Sequence, residues 1–224
     1  MRLVVPLGVF RPRSDSWMLA IAVAEHPRTP GGHVLDLCTG SGLMAVSAGL
    51  AGAASVTAVD ISRRSAATAW LNGRLNGVRV RGVRGELFEP VAGQRFDVIA
   101  TNPPYIPAPP DAPPSRAARA WDAGPDGRQL LDRICAQAPA LLTPGGALLL
   151  VHSSLARLDA TTAACQEAGL EVEVLVRRRG DLGPIAAART QWLVGQGVLD
   201  GPGGDEEVAV VQATRQPQPA AAAA

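Results

Sequence analysis

Four consecutive residues, Asn102-Pro103-Pro104-Tyr105, carry the most specific chemistry in this chain of 224 residues. They follow Phe96-Asp97-Val98-Ile99-Ala100-Thr101, an apolar run that reads as a strand. The Asn102 side-chain oxygen and the Pro103 carbonyl are two acceptors that can each take one hydrogen of a planar NH2 group. Holding both hydrogens draws electron density onto the nitrogen and helps its lone pair toward an electrophile. The prolines fix φ, so both acceptors stand in place before a substrate arrives. Tyr105 adds a face on which a flat amide or base can stack. Asn102, Pro103 and Tyr105 are therefore the candidate catalytic residues. Transfer to nitrogen at such a corner rests on orientation and electrostatic complementarity, with no metal and no strong base.

The donor must sit beside that corner, and three earlier strand ends suggest what it is. Asp36-Leu37-Cys38-Thr39-Gly40-Ser41-Gly42 runs from a strand directly into a helix. Gly40 and Gly42 let backbone approach a ligand, and the helix start offers free N–H groups. Asp60, ending the next strand, can accept both hydroxyls of an adenosine ribose. Taken alone, Gly40-x-Gly42-x-x-Ala45 followed by Asp60 also fits a dinucleotide fingerprint, so a nicotinamide enzyme competes at this point. Asp36 shifts the balance. A carboxylate four residues before Gly40 suits an ammonium group and repels a pyrophosphate. Glu86, in Gly85-Glu86-Leu87-Phe88 after the third strand, can accept from an adenine amino group. An ammonium, a ribose and an adenine together describe S-adenosyl-L-methionine, a sulfonium methyl donor.

The elements that must position these residues alternate along the chain. Strands are expected at His33–Cys38, Ser55–Asp60, Val78–Arg84, Phe96–Thr101, Ala147–His152, Glu171–Val176 and Glu207–Gln212, and helices at Trp17–Glu25, Gly42–Ala51, Arg63–Asn76, Arg128–Leu142 and Leu155–Ala168. That order predicts an α/β fold, a seven-stranded, mostly parallel sheet with helices on both faces, and together with the motifs above it resembles the Rossmann-like class I methyltransferase fold. Ala147–Val151 is continuously apolar, as a buried strand should be, whereas Val78–Arg84 alternates Val and Arg like an edge strand. Proline-rich Pro103–Ala123 is expected to be a long loop. Residues 1–214 read as one domain and 215–224 as a disordered tail.

Composition narrows the classes further. A hydrophobic content of 47% suffices for a core without disulfides or metal, and Cys38, Cys135 and Cys165 form no CxxC pair. The pattern favours a reduced, cytoplasmic setting. No apolar run approaches the roughly 20 residues of a membrane span. His26, His33 and His152 lack metal-ligand spacing. With 21 basic and 20 acidic residues, the net charge of +1 gives weak support to a nucleic-acid binder.

With these residues placed, the chain resembles the HemK family of release-factor glutamine methyltransferases, most of all the short branch without an N-terminal helical domain. The likeness runs from about Gly8 to Gly146. It comprises Val9 through Ser16, the Asp36–Gly42 turn, Asp60, Gly85–Phe88, Asn102–Tyr105, Ala120-Trp121, Gly124 through Gly127-Arg128, and Asp132-Arg133. The resemblance implies that Ser16, Asp36, Cys38, Asp60, Glu86, Leu87 and Asn102 line the cofactor. It also implies that the target is a glutamine amide in a translation release factor. The chain departs from the family pattern at Cys38, where many relatives have glycine, at Glu86, where aspartate is usual, and at Ser14, where the short branch has glutamate. The short branch often works with a small zinc-binding activator subunit added at a sheet edge, and Val78–Arg84 offers such an edge. Its arginines serve equally to keep an edge strand soluble.

Other acceptors present the same planar NH2. Adenine N6 or guanine N2 in nucleic acid is one alternative, although base flipping usually needs a recognition element for which this chain has little room. A small-molecule amide or amine is another. A non-catalytic nucleotide-binding scaffold is a third, which the intact Asn102, Asp36 and Asp60 argue against.

Overall fold

The computed structural model describes residues 1–112, 118–201 and 203–217. Seven strands form one sheet in the order β3-β2-β1-β4-β5-β7-β6. These are β1 His33–Leu37, β2 Ser55–Asp60, β3 Val80–Arg84, β4 Phe96–Thr101, β5 Leu142–Ser153, β6 Leu170–Asp181 and β7 Asp205–Arg215. The first five pair in parallel, and β7 lies antiparallel between β5 and β6. The order reverses at β1, whose neighbours are β2 on one side and β4 on the other, so a crevice for ligands opens at the carboxyl ends of those strands.

Alternation along each strand sends apolar side chains into two cores. Leu148 and Leu150 of β5 join Leu35, Leu37 and Ile99 beneath α4 (Leu131–Gln137) and α5 (Leu158–Glu167). Leu149 and Val151 join Val34, Val56 and Val98 beneath α1 (Ser14–Glu25), α2 (Leu43–Leu50) and α3 (Arg63–Leu75). Helices thus cover both faces, as the continuous apolar run of β5 requires. Val80–Arg84 is an edge strand with exposed arginines, in keeping with its Val/Arg alternation.

Several boundaries differ from expectation for local reasons. The expected helix 128–142 shortens to α4 followed by a 3-10 turn at Ala138–Ala140, where Pro139 has no N–H for a helical bond. The expected helix 155–168 begins at Leu158, because Arg157 has φ 58° and breaks the chain direction. The strand expected at 207–212 reaches Arg215, whose guanidinium donates to the Pro139 and Leu142 carbonyls at 3.1 and 2.6 Å, so the tail does not start at 215. Residues 218–224 of that expected tail lie outside the described residues.

Two short helices between β6 and β7 have no counterpart in the expectation: α6 Pro184–Ala187 and α7 Thr190–Gly195. They build a third apolar cluster in which Ala186, Leu193 and Leu199 pack on Leu155 from the main body, with Leu182 and Trp192 around them.

Candidate active site

The site is assembled where β1, β2 and β4 end and the chain before α1 crosses them. Asn72 on α3 and Asn76 just past its end grip the backbone of Val4 and Arg2 with paired hydrogen bonds of 2.7–2.9 Å. That anchor carries Gly8–Arg13 across the strand ends, where they form one wall of a cavity of about 720 Å3. Asn102, Pro103 and Tyr105 line the same cavity, so the structure brings the three candidate catalytic residues together.

Asn102 is held by α1. Its Nδ2 donates to Asp15 Oδ2 at 3.2 Å and to Ser16 Oγ at 3.0 Å. With both amide hydrogens placed, Oδ1 is its remaining polar atom, and it has no donor among the described residues. Asp15 Oδ2 also accepts from the Tyr105 hydroxyl at 2.8 Å, while Asp15 Oδ1 accepts from the Ser16 N–H at 2.6 Å. Burial, with the Asp15 charge beside it, pushes the Tyr105 phenol well above its ordinary value, so it stays a neutral donor. Asp15 is thus the hub that orients both Asn102 and Tyr105. Sequence reasoning gave it no role; the available signal was an acid directly before Ser16 in a first helical turn.

Gly127 backs the corner from behind. It has φ 73°, and a Cβ there would stand 2.5 Å from the Tyr105 carbonyl oxygen. Arg128, buried beside it, donates to the Ala156 and Arg157 carbonyls at 2.6 and 3.0 Å and to Thr161 Oγ1 at 3.0 Å. This locks the Gly124–Arg128 turn, and with it the back of Tyr105, onto the start of α5.

The candidate cofactor residues form a second group that does not line the 720 Å3 cavity, apart from Asn102. Asp36 is fully buried in β1. Its Oδ2 accepts from Thr39 Oγ1 at 2.5 Å and from the Ala45 N–H at 2.9 Å, whereas Oδ1 has no partner among the described residues. Burial raises this carboxyl to about 7 against the restraint of those two hydrogen bonds. Asp60 takes the Gly40 N–H on Oδ2 at 2.9 Å and the Ser62 N–H on Oδ1 at 2.8 Å, and burial raises its pKa as well. Asp60 therefore shapes the glycine turn in addition to facing its end.

The positive-φ positions explain residue types. Gly40 has φ 53° and lies under Phe10, and Gly42 has φ 81° with Ala69 so close that a Cβ would meet its Cα at 2.6 Å. Gly42 thus serves the packing of α3 on the turn. Cys38 carries φ 57°, the left-handed region in which a glycine is the natural choice, and burial first, then the Asp60 charge, pushes its thiol up to about 12. Leu87 is buried at φ 45°, and Glu86 is paired at 2.6 Å with Arg133, both side chains 42% exposed. Among the described residues no cluster of His, Cys, Asp and Glu could hold a metal ion, and no helix is long and apolar enough to cross a membrane.

This sheet order, with an Asn-Pro-Pro-Tyr corner and acids at successive strand ends, defines a class I methyltransferase, and a family model described as the methyltransferase small domain matches residues 14–110. A Methanocaldococcus jannaschii protein assigned as a protein N5-glutamine methyltransferase is 34% identical over 170 residues, which are 75% of this chain and 84% of that protein. The methyltransferase HEMK2 of Mus musculus is 31% identical, covering 75% of this chain and 88% of its own length. The chain belongs to the HemK-type protein N5-glutamine methyltransferases. The bacterial relatives are longer: the chain spans 50% of a ribosomal protein uL3 glutamine methyltransferase from Bradyrhizobium diazoefficiens, 43% identical over 66% of this chain. Among solved structures, the E. cuniculi Mtq2–Trm112 complex, responsible for methylation of the eRF1 translation termination factor, shares the fold with a TM-score of 0.63 at 20% identity, covering 94% of this chain and 100% of that one.

Proposed function

We propose that the chain transfers a methyl group from S-adenosyl-L-methionine to the side-chain amide nitrogen of a glutamine in a translation release factor. The observation that carries this is the fixed Asn102 amide: Asp15 and Ser16 take its hydrogens, and Oδ1 is left to accept from a substrate NH2. Pro103 contributes its carbonyl oxygen as the second acceptor. With both N–H bonds engaged, the amide nitrogen is held with its lone pair directed away from the acceptors. Tyr105, kept neutral and tied to Asp15, supports the flat amide with its ring.

The donor group suits the residues present. The unpartnered, buried Oδ1 of Asp36 is an acceptor in want of a cation, which an amino acid ammonium supplies. Asp36, Cys38, Gly40, Gly42, Asp60, Glu86 and Leu87 would hold the cofactor together with Ser16 and Asn102. Bound there, S-adenosyl-L-methionine supplies an electrophilic methyl group on a sulfonium. The nitrogen product is acidic and releases its surplus proton to water, so the chain needs no general base.

The names of the relatives support a termination factor as substrate, and a cytoplasmic setting is the reading that goes with such a substrate. The exposed edge of β3 supports addition of a small activating subunit, and the structural neighbour Mtq2 is itself found in a complex, with Trm112. The test is incubation with methyl-labelled cofactor and either a purified release factor or total RNA, followed by mass spectrometry of the labelled product. Label on a glutamine is expected, and label confined to RNA would refute the assignment. Asn102→Ala should lower turnover by about 100-fold or more, the scale for losing a preorganised polar group. It should leave measurable cofactor affinity, and wild-type turnover in that variant would remove Asn102 from the chemistry.

A further inference from the structure

The cavity in front of Asn102 has a second wall that belongs to neither the glycine turn nor the Asn-Pro-Pro-Tyr corner. On one side stand Ile106 and Trp121 from the loop after β4; on the other stand Pro184 and Ile185 from the α6–α7 segment between β6 and β7. At about 720 Å3 the space far exceeds a single glutamine side chain, being in the range (about 300–1,000 Å3) that takes ligands of drug size.

Arg189 joins the two walls. Its guanidinium meets Asp122 Oδ1 at 2.6 Å and donates to the Pro107 carbonyl at 2.9 Å. The side chains of Arg189 and Asp122 are only 17% and 19% exposed, so water screens this pair poorly. Asp122 in turn lies opposite Ile106 in an isolated bridge, through Ile106 N–H to Trp121 carbonyl at 2.9 Å and Ala123 N–H to Ile106 carbonyl at 3.1 Å. The loop is thereby folded on itself and pinned to α6–α7. That segment is itself anchored, by Leu155 in its small core and by the Gly183 N–H on Glu206 Oε2 at 3.1 Å.

We propose that α6–α7, clasped to the loop by Arg189–Asp122, is the protein-substrate recognition element, and that it receives the polypeptide flanking the target glutamine. Arg189 is a positioning residue: it does not line the cavity but sets the spacing of the walls that do. Arg178 and Arg179 line the cavity as exposed side chains with no ion-pair partner among the described residues, available to carbonyls or acids of the arriving chain. The inference rests on the glutamine-methylation reading above.

The experiment measures release-factor methylation by wild type, Arg189→Gln, Arg189→Lys and the charge swap Arg189→Asp with Asp122→Arg, alongside S-adenosylhomocysteine affinity and amide hydrogen exchange. Losing a charge-assisted clasp should raise KM for the protein about tenfold or more in Arg189→Gln. The maximal rate and S-adenosylhomocysteine affinity should stay within about twofold, as expected when only uniform substrate binding is lost. Exchange should quicken at Ile106 and Trp121–Ala123. Arg189→Lys and the charge swap should recover part of the KM, which a general folding defect would not allow. An unchanged KM in Arg189→Gln, or a loss confined to the maximal rate or the cofactor affinity, overturns the recognition role. If wild type methylates no protein glutamine, the parent assignment fails first, and the exchange data still report whether the clasp holds the loop.

Discussion

Asp36 makes a prediction that can be measured without turnover. Its carboxyl is fully buried, has one oxygen without a partner among the described residues, and is pushed up to about 7 by burial. An ammonium on Oδ1 requires the ionised form, so binding below that pH must expel one proton. S-Adenosylhomocysteine carries the same ammonium and is the convenient probe. Its affinity should fall about 50-fold between about pH 7 and 5, approaching the tenfold per pH unit of a single linked proton below about pH 6. The ligand's own amine titrates near about 8, which confines the clean window to the acid side. Isothermal titration calorimetry in two buffers of different ionisation enthalpy counts the protons directly. The count of released protons should approach one near about pH 6 and turn to net uptake by about pH 8, where the ligand's amine must gain a proton. In Asp36→Asn the slope vanishes and binding weakens. A flat affinity between about pH 5 and 7 in the folded wild type would refute the assignment of Oδ1 to a cation.

The same group sets a stability trend of definite sign. The folded value of about 7 lies above the ordinary 3.8, so the contribution is fully present below about pH 4 and is lost as pH rises through about 7. The rise from 3.8 to about 7 corresponds to a loss on the order of 4 kcal/mol. Urea unfolding of the free protein should show wild type declining relative to Asp36→Asn across that window, with Asn the more stable variant above it. Ligand binding reverses the comparison, because the cation then stabilises the charge that the empty fold disfavours.

Asp15→Ala removes the acceptor shared by Asn102 and Tyr105. At about 1.5–3 kcal/mol for a hydrogen bond to a charged group, turnover should drop by about 10- to 100-fold. Steady-state kinetics with saturating cofactor checks it, and undiminished turnover would show that the corner holds itself. At Cys38, with φ 57°, a glycine should be accepted within about 1 kcal/mol, since relief of left-handed strain offsets the entropy that glycine adds to the unfolded chain. Cys38→Val should cost about 1–3 kcal/mol, the range for a strained backbone position, and a valine variant as stable as wild type in urea would contradict that strain.

The strand ends were legible in sequence because buried parallel strands are continuous apolar runs and the chemistry of such sheets follows directly after them. Ala147–Val151 announces itself, and so do Asp60 and Asn102 at the close of their strands. Cys38 was legible only as a departure from a family glycine; φ 57° supplies the reason. Asp15 was hidden because its function is tertiary. It lies 87 and 90 residues from Asn102 and Tyr105, and only the packing of α1 against the end of β4 makes it their common acceptor.

The α6–α7 segment was hidden for a different reason. Helices of 4 and 6 residues are too short to show a helical period, and they fold on contacts made elsewhere. Leu193 needs Leu155, and Arg189 needs Asp122. The half of the site proposed to hold the donor is therefore encoded locally, in turns whose glycines and acids must stand at fixed offsets. The half that meets the protein substrate is encoded in long-range pairs, in which each side chain means little until its partner is in place. A change of substrate can then arise in Ile106–Ala123 and Leu182–Gly204 while the strand ends stay as they are. Exchanging those two segments together should move substrate preference. Exchanging either alone breaks the Arg189–Asp122 clasp and should weaken methylation of the original protein without creating a new target.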